Sequence, residues 1–255
     1  MTGANRWGLA PQSGDRAYAG HMSPRVVSLH RYPVKSMGGE PLAVAHFTSR
    51  GVSGDRIFAV RDADERLASS RDTDNLVRRD GVFDFDARTE GRRVVIADAA
   101  GRIGDAGTPP VNAALTSVLG VEVRIAQETD IPHIDNGAVS IIGTATLDWC
   151  ARELGGDPDP QRLRINIVVE TTEPFEEEEW IGSILTIGGV QLRAKGRIER
   201  SPTIDLAKRG SEAPAPWLEV LQRRREGRLG VYCDVVSRGA VAARDELTVE
   251  APGSP

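Results

Sequence analysis

A polar turn in the last third of the chain groups side chains that could do chemistry. Residues 197–205 hold two arginines, a glutamate and the hydroxyl of Ser201, and Pro202 prevents the turn from continuing a β-ladder. The turn follows residues 184–193, whose alternating apolar side chains predict a β-strand. Because rigid scaffolds commonly carry their chemistry at strand ends, Ser201 decides what this turn could do.

Lys35, Ser36 and Arg56 form a second candidate group, of the kind that binds phosphate. Lys35 and Ser36 stand just before a pair of glycines, and Arg56 follows Gly54 and Asp55. Glycine lets the backbone approach an anion, and cationic side chains donate charge-assisted hydrogen bonds to phosphate oxygens. The same residues would also suit solvated turns, so phosphate binding is a hypothesis at this point.

Two further polar residues lie on one predicted strand. Arg164 and Asn166 are two residues apart within the apolar run 162–169, which would place them on the same face of the strand. There they could hydrogen-bond an oxyanion or a purine-like edge. Simple exposure to solvent is an equal alternative.

A helix predicted over residues 147–154 adds one more polar candidate. Thr144 or Thr146 would cap its N-terminus, where free N–H groups could also face a phosphate. Cys150 stands among apolar neighbours and is predicted to be a core thiol rather than a nucleophile. The acidic run 176–179 is predicted to be a solvated helix start or loop.

The elements around these candidates are mostly short strands. Besides the helix already described, only residues 113–120, stopped by a glycine, and residues 217–225 show helical patterns. Short strands with few helices predict a β-rich fold, either all-β or α+β, built around a barrel, and we expect the α+β class. Residues 1–24 lack periodicity and are predicted to be a disordered leader.

Composition is typical of a soluble globular protein. The 255 residues are 40% hydrophobic and 27% charged, with a formal net charge of −5. The negative charge argues against general affinity for nucleic acid, and no apolar run approaches the ~20 residues of a membrane span. The N-terminus lacks the apolar core of a secretory signal, and two cysteines are too few for a disulfide framework. We therefore predict a cytoplasmic protein without nucleic-acid or membrane partners.

Several segments, taken in order, resemble a known family. Each segment is weak alone, but their order and spacing hold from about residue 25 to residue 250. The segments are Tyr32-Pro33-Val34-Lys35-Ser36, Gly54-Asp55-Arg56, Asp135 followed by residues 139–147, Arg164-Ile165-Asn166-Ile167-Val168, Glu199-Arg200-Ser201 and Gly230-Val231-Tyr232. They resemble the MOSC proteins with an N-terminal β-barrel-like domain, a family that includes the mitochondrial amidoxime-reducing component.

The resemblance implies a two-part fold. A MOSC β-barrel core over residues 126–250 would carry a smaller N-terminal α/β domain over residues 25–125, whose first strands could join the barrel. Residues 251–255 would form a tail.

The resemblance also implies a molybdenum pterin cofactor and oxidoreductase chemistry. Well-studied members reduce small N-hydroxylated compounds with electrons from an external carrier protein. By this likeness, the phosphate of molybdopterin would lie against Lys35, Ser36 and Arg56. The rest of the pterin site would be lined by Thr146, Arg164, Asn166, Arg200 and Tyr232.

Ser201 departs from the family at its metal-ligand position. The family has a cysteine there whose thiolate ligates molybdenum, whereas this chain offers a hydroxyl, a harder donor. The first hypothesis is a molybdopterin oxidoreductase in which Ser201 is the metal ligand and catalytic residue. The alternatives are a binding protein and a metal-free lyase or transferase of the same fold, with no cofactor or another phosphate-bearing one. In the metal-free enzyme Lys35 would be a catalytic electrostatic or imine-forming group.

Overall fold

The computed structural model describes residues 23–207 and 214–251, so most of the predicted leader and tail lies outside the described residues. Within them the strands are β1 Val26–Arg31, β2 Glu40–Leu42, β3 Val44–Thr48, β4 Gly51–Val52, β5 Phe58–Arg61, β6 Leu67–Ser69, β7 Leu76–Arg78, β8 Asp86–Glu90, β9 Arg93–Asp98, β10 Gly101–Asp105, β11 Arg124–Gln127, β12 Val139–Gly143, β13 Ile167–Val169, β14 Ile184–Ile187, β15 Val190–Glu199, β16 Arg228–Ser237, β17 Gly239–Ala242 and β18 Leu247–Glu250. The helices are α1 Pro109–Leu119, α2 Thr144–Leu154 and α3 Trp217–Arg225, with 3-10 turns at Asp80–Asp84, Glu176–Trp180 and Pro202–Asp205. None of the helices in this part of the chain is long and apolar enough to cross a bilayer.

The fold is strand-rich α+β, and its largest element is an eight-stranded sheet. The strand order is β18-β14-β15-β16-β12-β13-β1-β2, so strands from both ends of the chain pair within one sheet. Along β14 the side chains alternate: Leu185 and Ile187 are fully buried, whereas Ile184 and Thr186 are partly exposed. The buried side chains form an apolar core with neighbours such as Leu192. The long strand β15 of this sheet ends at the polar turn that contains Ser201, and its antiparallel partner β16 begins beside that turn, where Arg228 pairs with Glu199.

Three smaller sheets complete the fold. Their strand orders are β10-β9-β8, β11-β5-β6-β7 and β17-β3-β4. The first two belong to the N-terminal half and enclose a second core, whereas the third joins β17 to β3 and β4 and packs in the first core. Helix α1 packs Val111 and Leu115 against buried side chains that include Phe85 and Ile96. This half places the end of β1 and the loop after β6 opposite the Ser201 turn.

Helix α3 anchors the segment that follows Ser201. The Asp205 carboxylate accepts a hydrogen bond from the Trp217 backbone N–H at 2.8 Å, and so caps the first turn of the helix. The Trp217 ring is fully buried, and its Nε1 donates to the Gly155 carbonyl at 2.7 Å. The guanidinium of Arg162 stacks 3.8 Å from the ring centroid. These contacts fix the 3-10 turn that carries Thr203.

Most of the predicted elements are confirmed. Helix α3 has the predicted bounds, and α1 ends at Gly120, whose left-handed backbone (φ 69°) is the conformation that a glycine stop supplies.

Four local predictions were wrong. The single strand expected over residues 184–193 is a hairpin, in which β14 and the start of β15 are joined at Gly188 and Gly189. The strand expected over residues 162–169 shrinks to β13, and Arg164 has a left-handed backbone (φ 54°), so it does not share a strand face with Asn166. The cap of α2 is Gly143 without a side-chain hydrogen bond, not a threonine. The acidic run 176–179 is a 3-10 turn in which Glu177 is fully buried rather than solvated.

Candidate functional site

A cleft between the two halves of the molecule collects most of the predicted site residues. Its cavity volume is about 110 Å³, which is below the ~300 Å³ of the smaller ligand pockets. Six cationic side chains and two anionic ones line it. The lining residues with polar side chains are Lys35, Ser36, Arg56, Ser69, Arg71, Asp135, Asn136, Ser140, Arg162, Arg164, Glu199, Arg200, Ser201, Thr203 and Tyr232.

Lys35 is buried at the floor of this cleft. Its Nζ donates to the His133 carbonyl and to Asp135 Oδ1, both at 2.9 Å. Burial lowers the pKa of Lys35; the Asp135 carboxylate opposes the shift, whereas Arg56 and Arg164 add to it. Because an ammonium group has three N–H donors, Lys35 can still offer one to a ligand.

Two arginines lie against one tyrosine ring beside Lys35. The Arg56 and Arg164 guanidinium carbons are 5.4 and 4.5 Å from the centroid of the Tyr32 ring, a cation–π arrangement. Tyr32 is fully buried, and its hydroxyl donates to the Ile165 carbonyl at 3.0 Å. Arg56 also forms an ion pair with the buried carboxylate of Asp55. The ring therefore fixes two positive charges at one wall of the cleft.

Arg164 carries a donor that protein atoms do not satisfy. Its Nη1 donates to the Met37 carbonyl, but its Nη2 is buried without a hydrogen-bond partner in the described structure. Burial, reinforced by the charge of Arg56, lowers the pKa of Arg164 to about 10. The side chain therefore stays cationic at neutral pH, and a buried unpaired donor of this kind is costly unless a ligand uses it.

The backbone is strained at three of the predicted phosphate and pterin residues. Ser36 (φ 69°), Arg56 (φ 51°) and Arg164 (φ 54°) all adopt the left-handed conformation that side chains other than glycine rarely take. Gly39 is required nearby, since a Cβ there would lie 2.3 Å from the Arg31 carbonyl oxygen. Strain of this kind persists where the surrounding structure imposes it, and it clusters at functional sites.

Arg200 and Tyr232 line the opposite wall. Arg200 donates from Nε and Nη2 to the Leu229 carbonyl, at 2.9 and 2.6 Å, and from Nη1 to the Leu163 carbonyl at 2.7 Å. Burial lowers the pKa of Arg200 to about 10 and raises the pKa of the Tyr232 hydroxyl. Arg200 therefore contributes positive potential, while its donors hold the backbone of the wall together.

Ser201 lies in a cluster of three hydroxyls. Its Oγ is 3.0 Å from Thr203 Oγ1 and 3.4 Å from Ser70 Oγ, and the latter two oxygens are 2.7 Å apart. Ser70 belongs to the loop after β6, so the cluster joins the two halves across the cleft. Cys150 and Cys233 are buried elsewhere, and burial raises the pKa of both thiols. Within the described residues, no thiol lines the cleft.

The structure does not bring Thr146 and Asn166 to the cleft. The Thr146 hydroxyl donates to Glu177 Oε2 at 2.9 Å and accepts from the Phe175 N–H. Asn166 is buried in the sheet, where its Oδ1 accepts from the N–H and hydroxyl of Ser140 and its Nδ2 donates to the His30 carbonyl. Both side chains are fully engaged with the protein, so they support the fold beneath the site.

The fold also brings to the cleft several residues that were not predicted from the sequence. Arg71 and Ser70 come from the loop after β6, and Thr203 follows Ser201 in the same 3-10 turn. Arg162 was noted only as part of a strand. Thr203 could have been predicted, because its hydroxyl stands only two residues after Ser201. No local sequence pattern marked Arg71.

The cleft residues fit a phosphate-bearing, heteroatom-rich ligand. The excess of cations, the free N–H of Lys35 and the unpaired Nη2 of Arg164 all favour an anion. The described residues provide no metal site of their own, because no group of three or more His, Cys, Asp or Glu side chains among them could hold a metal ion. A metal here would have to arrive with ligands of its own and take at most an oxygen from Ser201.

Family models match both halves of the chain. The model of the MOSC N-terminal beta barrel domain matches residues 23–128, and the model of the MOSC domain matches residues 128–248. The two matches meet at residue 128 and together span nearly all of the described chain.

The individual curated proteins that are similar to this chain match shorter stretches of it than the two family models together do. The molybdenum cofactor sulfurase of Drosophila melanogaster is 32% identical over 78 residues, which cover 30% of this chain and 10% of that protein. The sulfurase of Drosophila pseudoobscura pseudoobscura is 25% identical over 126 residues, 49% of this chain and 16% of the relative. The chain thus spans only a small part of the length of these relatives.

Solved structures of bacterial proteins also align. The YuaD protein from Bacillus subtilis aligns with a TM-score of 0.48 and 16% identity over 90% of this chain and 97% of its own. YiiM from Escherichia coli aligns with a TM-score of 0.43 and 11% identity over 91% of this chain and 72% of its own.

Proposed function

Because this chain belongs to the MOSC family, we propose that its cleft binds the phosphorylated pterin of a molybdenum cofactor. We propose further that the protein is an oxidoreductase for small N-hydroxylated or similar compounds. The observation that carries the proposal is the buried, unpaired Nη2 of Arg164 beside Lys35 and Arg56. The relatives named molybdenum cofactor sulfurase are consistent with a ligand of this class.

Each half of the molecule has a separate task in this proposal. Lys35, Ser36 and Arg56 from the N-terminal half would hold the phosphate, two of them as cations. Arg164, Arg200 and Tyr232 from the MOSC domain would face the pterin. Thr146 and Asn166 would act beneath the site, through the hydrogen bonds that already engage them.

Ser201 would meet the metal. The bound group would supply two-electron redox chemistry, while the protein's own residues bind and orient it. The Ser70 and Thr203 hydroxyls would orient the Ser201 oxygen, because each lies within hydrogen-bond distance of it. Electrons would come from an external carrier protein, since the described residues hold no cysteine cluster for a redox centre of their own.

One observation favours a second candidate, a metal-free protein that binds another phosphorylated ligand. The Ser201 hydroxyl already has a hydroxyl partner at 3.0 Å, and an alcohol gives up its proton to a metal far less readily than a thiol does. The same cationic wall would then serve a lyase, a transferase or a binding protein.

The molybdenum and pterin content of the purified protein distinguishes the two candidate functions. We expect protein produced with molybdate to purify with pterin and molybdenum, and Lys35→Ala and Arg56→Ala to lose both. Lys195→Ala is the matched control, because Lys195 forms an exposed ion pair with Asp234 that is not part of the cleft lining. Ser201→Cys is expected to retain more metal than the wild type, since a thiolate is the softer and more acidic ligand. Wild type and Ser201→Cys that both lack pterin and molybdenum would refute the cofactor proposal.

A further inference from the structure

Asp135 is an acidic side chain that touches the cationic wall directly. Its Oδ1 accepts a hydrogen bond from Lys35 Nζ at 2.9 Å and lies 3.9 Å from a guanidinium nitrogen of Arg71. The Asp135 side chain is 41% exposed, whereas that of Lys35 is only 6% exposed. One negative charge of the protein itself therefore stands at the position where a ligand phosphate would meet these two cations.

The loop that carries Asp135 is held in place from several directions. The His133 N–H donates to Glu128 Oε2 at 2.6 Å, and the His133 ring bridges the Arg56 carbonyl and Arg61 Nη2, each at 3.1 Å. Burial, with the nearby cations Arg61 and Lys35, lowers the pKa of His133 to about 4, so the ring is neutral and can take part in both bonds at neutral pH. The Asp135 carboxylate is thus presented to Lys35 by a fixed backbone.

We infer that Asp135 is a tethered counter-anion that any anionic ligand must displace from Lys35 and Arg71. A carboxylate attached to the fold competes at a high effective concentration, so it lowers the affinity of every anionic ligand by a similar factor. A monoanion replaces the Asp135 contact with an equivalent one and therefore binds only weakly. A phosphate monoester brings nearly two charges and three acceptor oxygens, enough for Lys35, Arg71 and Arg56 together.

When a ligand phosphate replaces the Asp135 carboxylate, Lys35 still has hydrogen-bond acceptors for its ammonium group. The His133 carbonyl remains bonded to Lys35 Nζ when Asp135 moves away. Asp135 is partly exposed, so it can turn toward solvent without leaving a buried charge unpaired. The competing charge therefore sets a minimum strength of anionic contacts that a ligand needs in order to occupy the site.

The test uses two probes that differ in charge but little in shape. Phenyl phosphate is a dianion at pH 8 and benzenesulfonate is a monoanion, and both carry a tetrahedral anionic group on a benzene ring. Titration calorimetry would measure both with the full-length wild type, Asp135→Asn and Asp135→Ser. Asp234→Asn is the matched control, since Asp234 pairs with Lys195 in the same kind of ion pair outside the cleft lining.

We expect the wild type and Asp234→Asn to bind phenyl phosphate at least about tenfold more tightly than benzenesulfonate. In both Asp135 variants the affinity for both probes should rise about tenfold, because neither probe then has to displace a carboxylate. Variants that bind phenyl phosphate no more tightly than the wild type does would overturn the inference. The inference rests on the proposed phosphate site, and failure of that site has its own signature: neither the wild type nor any variant would bind phenyl phosphate.

Discussion

Arg164 combines strain, burial and an unpaired donor in one residue. Its left-handed backbone costs roughly 1–2 kcal/mol in a residue other than glycine, and its buried Nη2 lacks a protein partner. Neither feature helps the fold. Both are explained if the site is built to hold an anion, because the guanidinium is then aimed at its ligand before binding.

Replacement of Arg164 by Asn tests this interpretation. Asn tolerates the left-handed backbone but removes the charge and the donor, so the protein should fold while its affinity for phenyl phosphate falls about tenfold or more. Titration calorimetry measures the change. Glu226→Asn is the control, since Glu226 has a similar left-handed backbone (φ 55°) at the end of α3, outside the cleft lining. Unchanged affinity in Arg164→Asn would show that this donor does not face the ligand.

The chemistry of the side chains was a better guide to the residues that line the cleft than their places in the predicted strands and helices were. Lys35, Ser36, Arg56, Arg164, Arg200, Ser201 and Tyr232 all line it, as expected from their chemistry and order. Thr146 and Asn166 do not, because a sequence cannot show whether a polar group is already paired inside the fold. Arg71 was missed because it reaches the cleft through a loop, and loop paths follow from packing of distant segments rather than from local pattern.

Helix α2 depends on a buried carboxyl from a different element. Glu177 is fully buried in the 3-10 turn, where its Oε2 accepts hydrogen bonds from the Thr146 hydroxyl and its carboxyl accepts one from the Gly143 N–H at the helix N-terminus. A negative charge stabilises the N-terminus of a helix, whereas burial destabilises the charged form of a carboxyl group. Burial dominates here and, despite those hydrogen bonds, raises the pKa of Glu177 from 4.5 to about 7.

Protein stability should therefore depend on pH through Glu177. Between pH 4.5 and 7 the unfolded chain has lost this proton while the folded chain still holds it, so unfolding releases a proton and stability falls as pH rises. Relative to Glu177→Gln, the free energy of unfolding of the wild type should drop on the order of 3 kcal/mol across this window and stay level above it. Urea denaturation at a series of pH values measures the difference.

A control separates this effect from other titrations. Glu179→Gln changes an exposed glutamate of the same turn and should follow the wild type at every pH. If the difference between the wild type and Glu177→Gln were independent of pH, the buried carboxyl would have an ordinary pKa.

The sequence predicted elements where the signal was local. The glycine stop of α1 and the span of α3 follow from spacing within a dozen residues. The left-handed turn at Arg164 and the burial of Glu177 could not be predicted, since each is imposed by contacts with another part of the chain. The apolar run 162–169 looked like one strand because burial, rather than strand pairing, demands apolar side chains at Leu163 and Ile165.

The two halves of the molecule meet at a polar junction that also supports the cleft. Glu128, where the two family matches adjoin, accepts hydrogen bonds from the Arg50 guanidinium and from the His133 N–H. Arg50 in turn donates to the carbonyls of Asp55, at 2.6 Å, and Arg56, at 3.1 Å. The turn that presents Arg56 and the loop that presents His133 are thus tied together through one carboxylate.

Loss of that carboxylate should loosen the whole molecule. Glu128→Gln leaves the half-buried Arg50 without its countercharge, and we expect the free energy of unfolding to fall by about 1–2 kcal/mol. Glu90→Gln, which removes a more exposed partner of Arg88 and Arg102, should change it much less. Phenyl phosphate at 100 times its dissociation constant should add about 2.7 kcal/mol to both variants and to the wild type, because the ligand binds the folded cleft only. Equal losses in the two variants, measured by urea denaturation, would show that the junction contributes no more than any surface ion pair.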